Sequence, residues 1–274
     1  KRVQKYTYGG KNQNPMMDRN LGAMAGYTDV PSNDLERSKA NGFHYQWGRK
    51  DPFPSTYSKA ATTANGTYSI TVYADKLTPG MLNYYQPDGV SYYVRNGVKS
   101  QVSIRTSYQN PTTTYSSGDT WCNEGNANLW IENSKKTFHD PCPAGWCIAS
   151  KVNYQSLFTN SGYTDSGSST NASSTMNMKN PSTIIADGGV VLYFENSTSG
   201  RSTYIRMTGY QDNFNSFIRI AGMGNFWCRE SGRTTNNHGY ALAIGADNKA
   251  YNISSGWSRR DAHPIRCIQE REQQ

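Results

Sequence analysis

Five cysteines, four histidines and a C-terminal group of arginines and tryptophans have the widest chemical range in this chain. Cys122, Cys142, Cys147, Cys228 and Cys267 form no Cys-x-x-Cys pair, and no histidine stands at metal-ligand spacing from them, so zinc is not expected. An odd count leaves at least one free thiol or an intermolecular bond, while export would allow one or two disulfides. His44, His139, His238 and His263 lie beside no Gly-x-Ser-x-Gly elbow and no HExxH helix. Paired-carboxylate motifs and glycine-rich phosphate loops are absent from the sequence. No catalytic residue and no cofactor are therefore expected. Glu124, Asn126 and Asn128 could ligate a cation, but a polar turn accounts for the same residues.

The elements that would position these side chains are mostly strands. Of 274 residues, 35% are hydrophobic and 18% charged, with Asn, Ser, Thr and Gly making up the difference. With 20 Tyr and 6 Trp the composition is not that of a disordered chain, and it suits an extracellular β-rich protein. Tyr, Ser, Gly and Asn also dominate adaptable recognition surfaces. The net charge of +8 is scattered, with no run of five basic residues, so nucleic-acid binding is not expected. No apolar stretch approaches the length of a membrane span. A start at Lys1 reads as a mature or trimmed product.

Residues 1–14 read as an N-terminal arm and 15–270 as one domain, within which 54–118 is a β-rich insertion. Strand-like runs inside that insertion are Tyr68–Tyr73 and Val90–Val94. Short helices are expected near Ser32–Ala40 and at Asn153–Phe158, the latter capped by Ser150. From Val190 onward strands dominate: 190–194, 203–207, 216–220, 240–244, 250–253 and 264–268. Asn, Gly and Ser turns between them indicate a mainly antiparallel arrangement, giving a β-rich α+β class.

Several phrases carry a resemblance. They are Met17-Asp18-Arg19-Asn20-Leu21-Gly22-Ala23, Phe43 to Phe53 (FHYQWGRKDPF), Gln109–Thr113, Asp119–Cys122 and Asn128–Trp130. Lys136 to Trp146 (KTFHDPCPAGW), Phe226-Trp227 and Pro264-Ile265-Arg266-Cys267-Ile268 follow in order. Together they resemble the fibrobacter-type major paralogous domain of Bacteroidetes surface lipoproteins and fimbrial tip proteins, over residues 15–53 and 105–270. The resemblance implies a C-type-lectin-like fold and display at the outer-membrane or extracellular surface. Some such proteins resemble the variable proteins of diversity-generating retroelements, and Gly222–Cys267 is similar to their hypervariable segment. Two departures stand out: Cys147 replaces the arginine expected after Gly-Trp, and Cys228 the serine after Phe-Trp.

The family phrases imply a Cys142–Cys267 disulfide, and the two substituted cysteines, Cys147 and Cys228, are candidates to pair with each other. Trp47, Trp146 and Trp227 are expected in the core. The polar and aromatic residues between frame positions are the candidate ligand contacts. One group is Arg229, Glu230, Ser231, Arg233, Thr234, Thr235, Asn236, Asn237, His238 and Tyr240. The other is Asn252, Ser254, Ser255, Trp257, Ser258, Arg259, Arg260, Asp261 and His263, with Trp257 expected to be exposed. The expected function is an adhesin that binds a protein or glycan on another cell or host surface. The alternatives are a structural fimbrial subunit, pairing with its neighbours by strand addition, and a phage receptor-binding protein of similar fold.

Overall fold

A computed structural model describes residues 7–8, 11–12, 14–54, 96–111, 113–125, 128–158, 176–179, 187–194, 200–211, 217–218, 222–232, 237–245 and 251–270. Both strand-like runs of the insertion and much of the arm lie outside these residues. What the arm shows is a two-stranded pairing of Thr7–Tyr8 with Lys11–Asn12. From the insertion, Asn96–Val98 pairs in parallel with Thr113–Tyr115, around a helix α2 (Ile104–Gln109) that no sequence signal announced.

The class is β-rich α+β, with short helices. The first, α1 (Asp34–Lys39), starts where the Asn33 side chain accepts the amide of Glu36. The third, α3 (Lys151–Gln155), starts at Ser150, and Asn153 returns the bond to the Ser150 amide, which closes a capping box. The expected Ser150 cap is thus present, although the helix is shorter than 153–158 suggested.

The centre is an antiparallel sheet of Met223–Gly232, His238–Gly245 and Tyr251–Ser258. Side chains alternate along a strand, so one strand serves both faces. Phe226 and Cys228 join Leu242, Ile244 and Ile253 in an aliphatic core with Val190, Leu192, Ile205 and Met207. Trp227 and Ala241 face the other way, into a second core with Trp47, Trp121, Trp130, Tyr45 and Ile265. Met223–Gly232 is therefore buried on both sides for most of its length.

The tryptophan core is held by directional bonds as well as packing. Each indole N–H donates to a backbone carbonyl: Trp47 to Cys228 (3.1 Å), Trp121 to Trp47 (2.7 Å), Trp130 to Arg49 (3.2 Å) and Trp227 to Tyr45 (2.7 Å). Gly48 makes the turn between Trp47 and Arg49 possible. Its φ is +91°, and a Cβ there would lie 2.4 Å from Leu129 Cδ1. Buried Arg49 pairs with Asp51 at 2.6 Å and donates to Gln46 Oε1 and the Thr113 carbonyl. Phe53, Tyr115 and Trp121 lie within cation–π range of its guanidinium.

Phrases far apart in sequence are joined in a second network. Arg266 donates to Asn20 Oδ1 (3.0 Å), Thr203 Oγ1 (3.1 Å) and the Tyr204 carbonyl (2.9 Å). Asn20 in turn donates to the Asn41 carbonyl, and Asn41 Oδ1 accepts from Arg206. Turning Arg266 inward divides the single strand expected over 264–268. Ala262–Pro264 pairs with Phe43–Gln46, whereas Cys267–Gln269 pairs with Trp146–Ile148.

The disulfide joins Cys142 to Cys267 across 125 residues, as the family phrases implied. The pairing considered for Cys147 and Cys228 does not form: both are buried free thiols, as is Cys122. Both belong to the aliphatic core, where they pack as small hydrophobes. Burial pushes Cys147 up to about 11 and holds Cys228 well above the ordinary thiol value, so neither is a thiolate at neutral pH.

Candidate binding surface at the C-terminal sheet

The two predicted groups of contact residues lie on adjacent strands. His238 is opposite Ser258, Gly239 opposite Trp257, Ala241 opposite Ser254 and Ala243 opposite Asn252. The close pairing near Gly239 depends on the absent side chain. A Cβ there would lie 2.5 Å from Trp47 and 2.9 Å from Trp227. Arg233, Thr234, Thr235 and Asn236 fall outside the described residues.

Because the sheet is covered on both faces, the predicted residues do not form one face. They divide three ways. Arg259, Asp261 and His263 are buried and belong to the scaffold. Arg259 lies over the Trp47 ring, 3.9 Å from its centroid, and donates to the His238 carbonyl at 3.2 Å. Burial lowers its guanidinium to about 10, which keeps it protonated at neutral pH. His263 stacks on Trp227 with centroids 3.9 Å apart and planes 6° from parallel. Full burial, with His44 nearby, holds His263 well below the usual imidazole value. Their assignment as ligand contacts is corrected: after Ser258 the chain turns Arg259 and His263 onto core tryptophans, and Asp261 is buried with its carboxylate 3.7 Å from Arg260 Nε.

A second group gathers at the start of α3. Glu230 accepts the Lys151 amide at 2.9 Å, and the Lys151 ammonium lies 4.8 Å from the Tyr240 ring centroid. Arg229 is half-buried beside Glu230 and within reach of the Cys147 sulfur. Tyr240 itself packs on the aliphatic core.

The third group forms a rim with the turn Ser117–Thr120. Ser258 donates to Asp119 Oδ1 at 2.9 Å, and His238 Nε2 lies 3.8 Å from Asp119 Oδ2. Arg260 donates to the Gly118 carbonyl at 2.5 Å, while its own carbonyl accepts from Gln46 at 2.6 Å. The Asn237 carbonyl accepts the Arg259 amide at 3.1 Å. Trp257 is not the exposed residue expected. It is half-buried, edge-on to Tyr210 (5.2 Å) and to His263 (5.1 Å). Its indole nitrogen is buried with no hydrogen-bond partner among the described residues.

Sequence reasoning missed Gly118, Asp119 and Tyr210. Asp119 opens a recognised phrase, yet nothing local announces contact with a strand 139 residues away. Among the described residues no group of His, Cys, Asp and Glu is arranged to hold a metal ion, and no helix is long and apolar enough to cross a membrane. No family model, curated protein or solved structure matches the chain.

Proposed function

We propose that this protein is a cell-surface ligand-binding protein, an adhesin with a C-type-lectin-like fold. It would use the rim formed by Asn237, His238, Trp257, Ser258 and Arg260 with the Gly118–Asp119 turn. One observation carries the reading: two polar, aromatic segments, separate in sequence, lie on paired strands and meet a third loop at one sheet end. The ligand class is a protein or a glycan. Arginine, histidine and tryptophan on a rigid base supply charge, hydrogen bonding and apolar area at low entropic cost. The buried disulfide suits an oxidising, extracytoplasmic location. A binding role rather than catalysis is supported by the protonated, enclosed state of Cys147 and Cys228.

The test is a triple variant, His238→Ala, Trp257→Ala and Arg260→Ala, assayed for adhesion to host cells and to a panel of extracellular proteins and glycans. Arg259 is left intact because it supports Trp47. Adhesion of the folded variant should fall at least tenfold, a larger loss than the lowered melting temperature from removing the packed Trp257 ring can explain. Unchanged adhesion by the folded variant would remove the rim from the binding site. For the retroelement reading, the informative observation is a neighbouring reverse-transcriptase gene with an adenine-biased imperfect repeat of the 222–267 coding segment.

A further inference from the structure

The recognised phrase Lys136–Trp146 contains an outward-facing exception to its scaffold role. Phe138 is 73% exposed, the most exposed large hydrophobic side chain among the described residues. It is nonetheless fixed on several sides. Tyr108 and His139 meet it edge-on at 6.3 and 5.9 Å, and they lie parallel to each other and share a hydrogen bond between Tyr108 Oη and His139 Nδ1. The Lys50 ammonium lies 4.4 Å from the Phe138 centroid. Beside the ring opens a cleft of about 530 Å³, walled by Asn128, Glu132, Asn133, Lys135 and Thr137. That volume falls within the range of small-ligand sites, ~300–1,000 Å³. One wall is a tight hairpin in which Glu132 pairs with Lys135, and Asn133 and Ser134 take φ of 48° and 65°. This two-residue turn makes the wall stiff.

We infer that this cleft is a second binding site, separate from the C-terminal rim, and that it takes a neutral saccharide with one sugar ring stacked on Phe138. The ring stands at the edge of a polar cleft rather than alone on open surface, where it offers a ligand an apolar face beside hydrogen-bonding groups. Among the described lining residues it is the single large apolar side chain, the others presenting amide, carboxylate, hydroxyl, ammonium and imidazole groups. A wholly apolar ligand would displace water from the exposed Glu132, Asn133 and Lys135 side chains without replacing its hydrogen bonds. A pyranose ring suits both requirements, because its C–H face is apolar and its hydroxyls lie at the edge. Charge selects a neutral ligand. Lys136 is committed to the carbonyls of Cys142, Pro143 and Trp146 and lies 3.8 Å from Asp140, and Arg49 is paired with Asp51. Among the described residues, Lys50 and Lys135 near His139 and the cleft stand against Glu124 and Glu132, which balance.

The experiment uses the full chain against an array of mannan, galactan, β-glucan and N-acetyllactosamine oligosaccharides, with hyaluronan and heparin as acidic probes. Positives are titrated calorimetrically. A neutral saccharide should bind with an affinity unchanged between about 0.05 and 0.5 M salt. Phe138→Ala should lower that affinity at least tenfold, and Phe138→Tyr should retain it, with both variants melting like the parent. The Trp257→Ala, Arg260→Ala double variant should bind the saccharide normally. The inference is overturned by binding restricted to the acidic probes, by no binding at all, by equal affinity in Phe138→Ala, or by loss in the rim variant instead.

Discussion

The rim of the C-terminal sheet and the tryptophan core beneath it are built from the same residue types. Each has arginine, histidine, tryptophan and aspartate, and the chain passes from one to the other between Ser258 and Asp261. In the core these side chains face one another: Arg259 covers Trp47, His263 stacks on Trp227, and Arg49 pairs with Asp51. At the rim, His238, Ser258 and Arg260 lean on a single turn and keep part of their surface in solvent. Residue type therefore does not separate scaffold from contact surface in this molecule. The partner across the fold does.

The largest effect comes from the centre of the tryptophan core. Trp227→Ala removes a ring that packs against Trp130 and His263 and whose N–H is bonded to Tyr45. Urea unfolding should show a loss of about 3–5 kcal/mol. A loss below about 1 kcal/mol would mean that the core is less tightly coupled than its bonds suggest. The disulfide comes next, since Cys142 and Cys267 belong to the same core. A Cys142→Ala, Cys267→Ala double variant should lose ~2–5 kcal/mol, most of it through the wider freedom of the unfolded chain. The same unfolding curves check that loss, and adhesion assays of the folded variant should show the rim's ligand preference unchanged.

His263 gives an intermediate effect with a definite sign. In the unfolded chain it titrates near 6.5, whereas in the folded protein burial holds it well below that value. Below pH 6.5 the unfolded state takes up a proton that the folded state refuses, so stability falls as the pH drops from 6.5 towards the folded value. The slope is about 1.4 kcal/mol per pH unit for one such group. His263→Phe keeps a flat ring against Trp227 and should remove that component. Its stability measured at pH 7.0 and 5.5 should differ by roughly 1.4 kcal/mol less than in the parent. An identical pH dependence in the two proteins would show that His263 is not what the acid acts on.

Much of the framework was legible because its signals are local. Asn33 and Ser150 cap their helices through bonds three residues away, whereas Met223–Gly232, buried on both faces, was not among the strands expected. The disulfide was legible through recognised phrases rather than through spacing. The site was only partly legible, because burial at its positions depends on distant partners. Arg259 and Arg260 are identical neighbours in sequence, yet Trp47 lies under one and Gly118 beside the other. Cys147 and Cys228 looked like a pair as two departures from one family pattern, but the aliphatic core accommodates each as a thiol. Phe138 sits in a phrase whose other residues, Lys136 and Asp140, hold the Cys142 loop, and that context concealed its exposure.

The smallest stability effect sharpens the comparison most, because it uses the adjacent arginines. Arg260 is half-exposed, and its side chain donates to the Gly118 carbonyl with Asp261 3.7 Å away. Exposed pairs of this kind contribute ~0–1 kcal/mol, so Arg260→Ala should change unfolding stability by no more than about 0.5 kcal/mol. Arg259→Ala instead strips the cover from Trp47, a desolvated cation–π contact worth ~2 kcal/mol, and opens a void in the core. Adhesion should show the reverse order: lowered by Arg260→Ala at full stability, and lowered by Arg259→Ala only as far as the folded population falls. Equal stability losses from the two substitutions would erase the boundary between rim and core at the place where the chain crosses it.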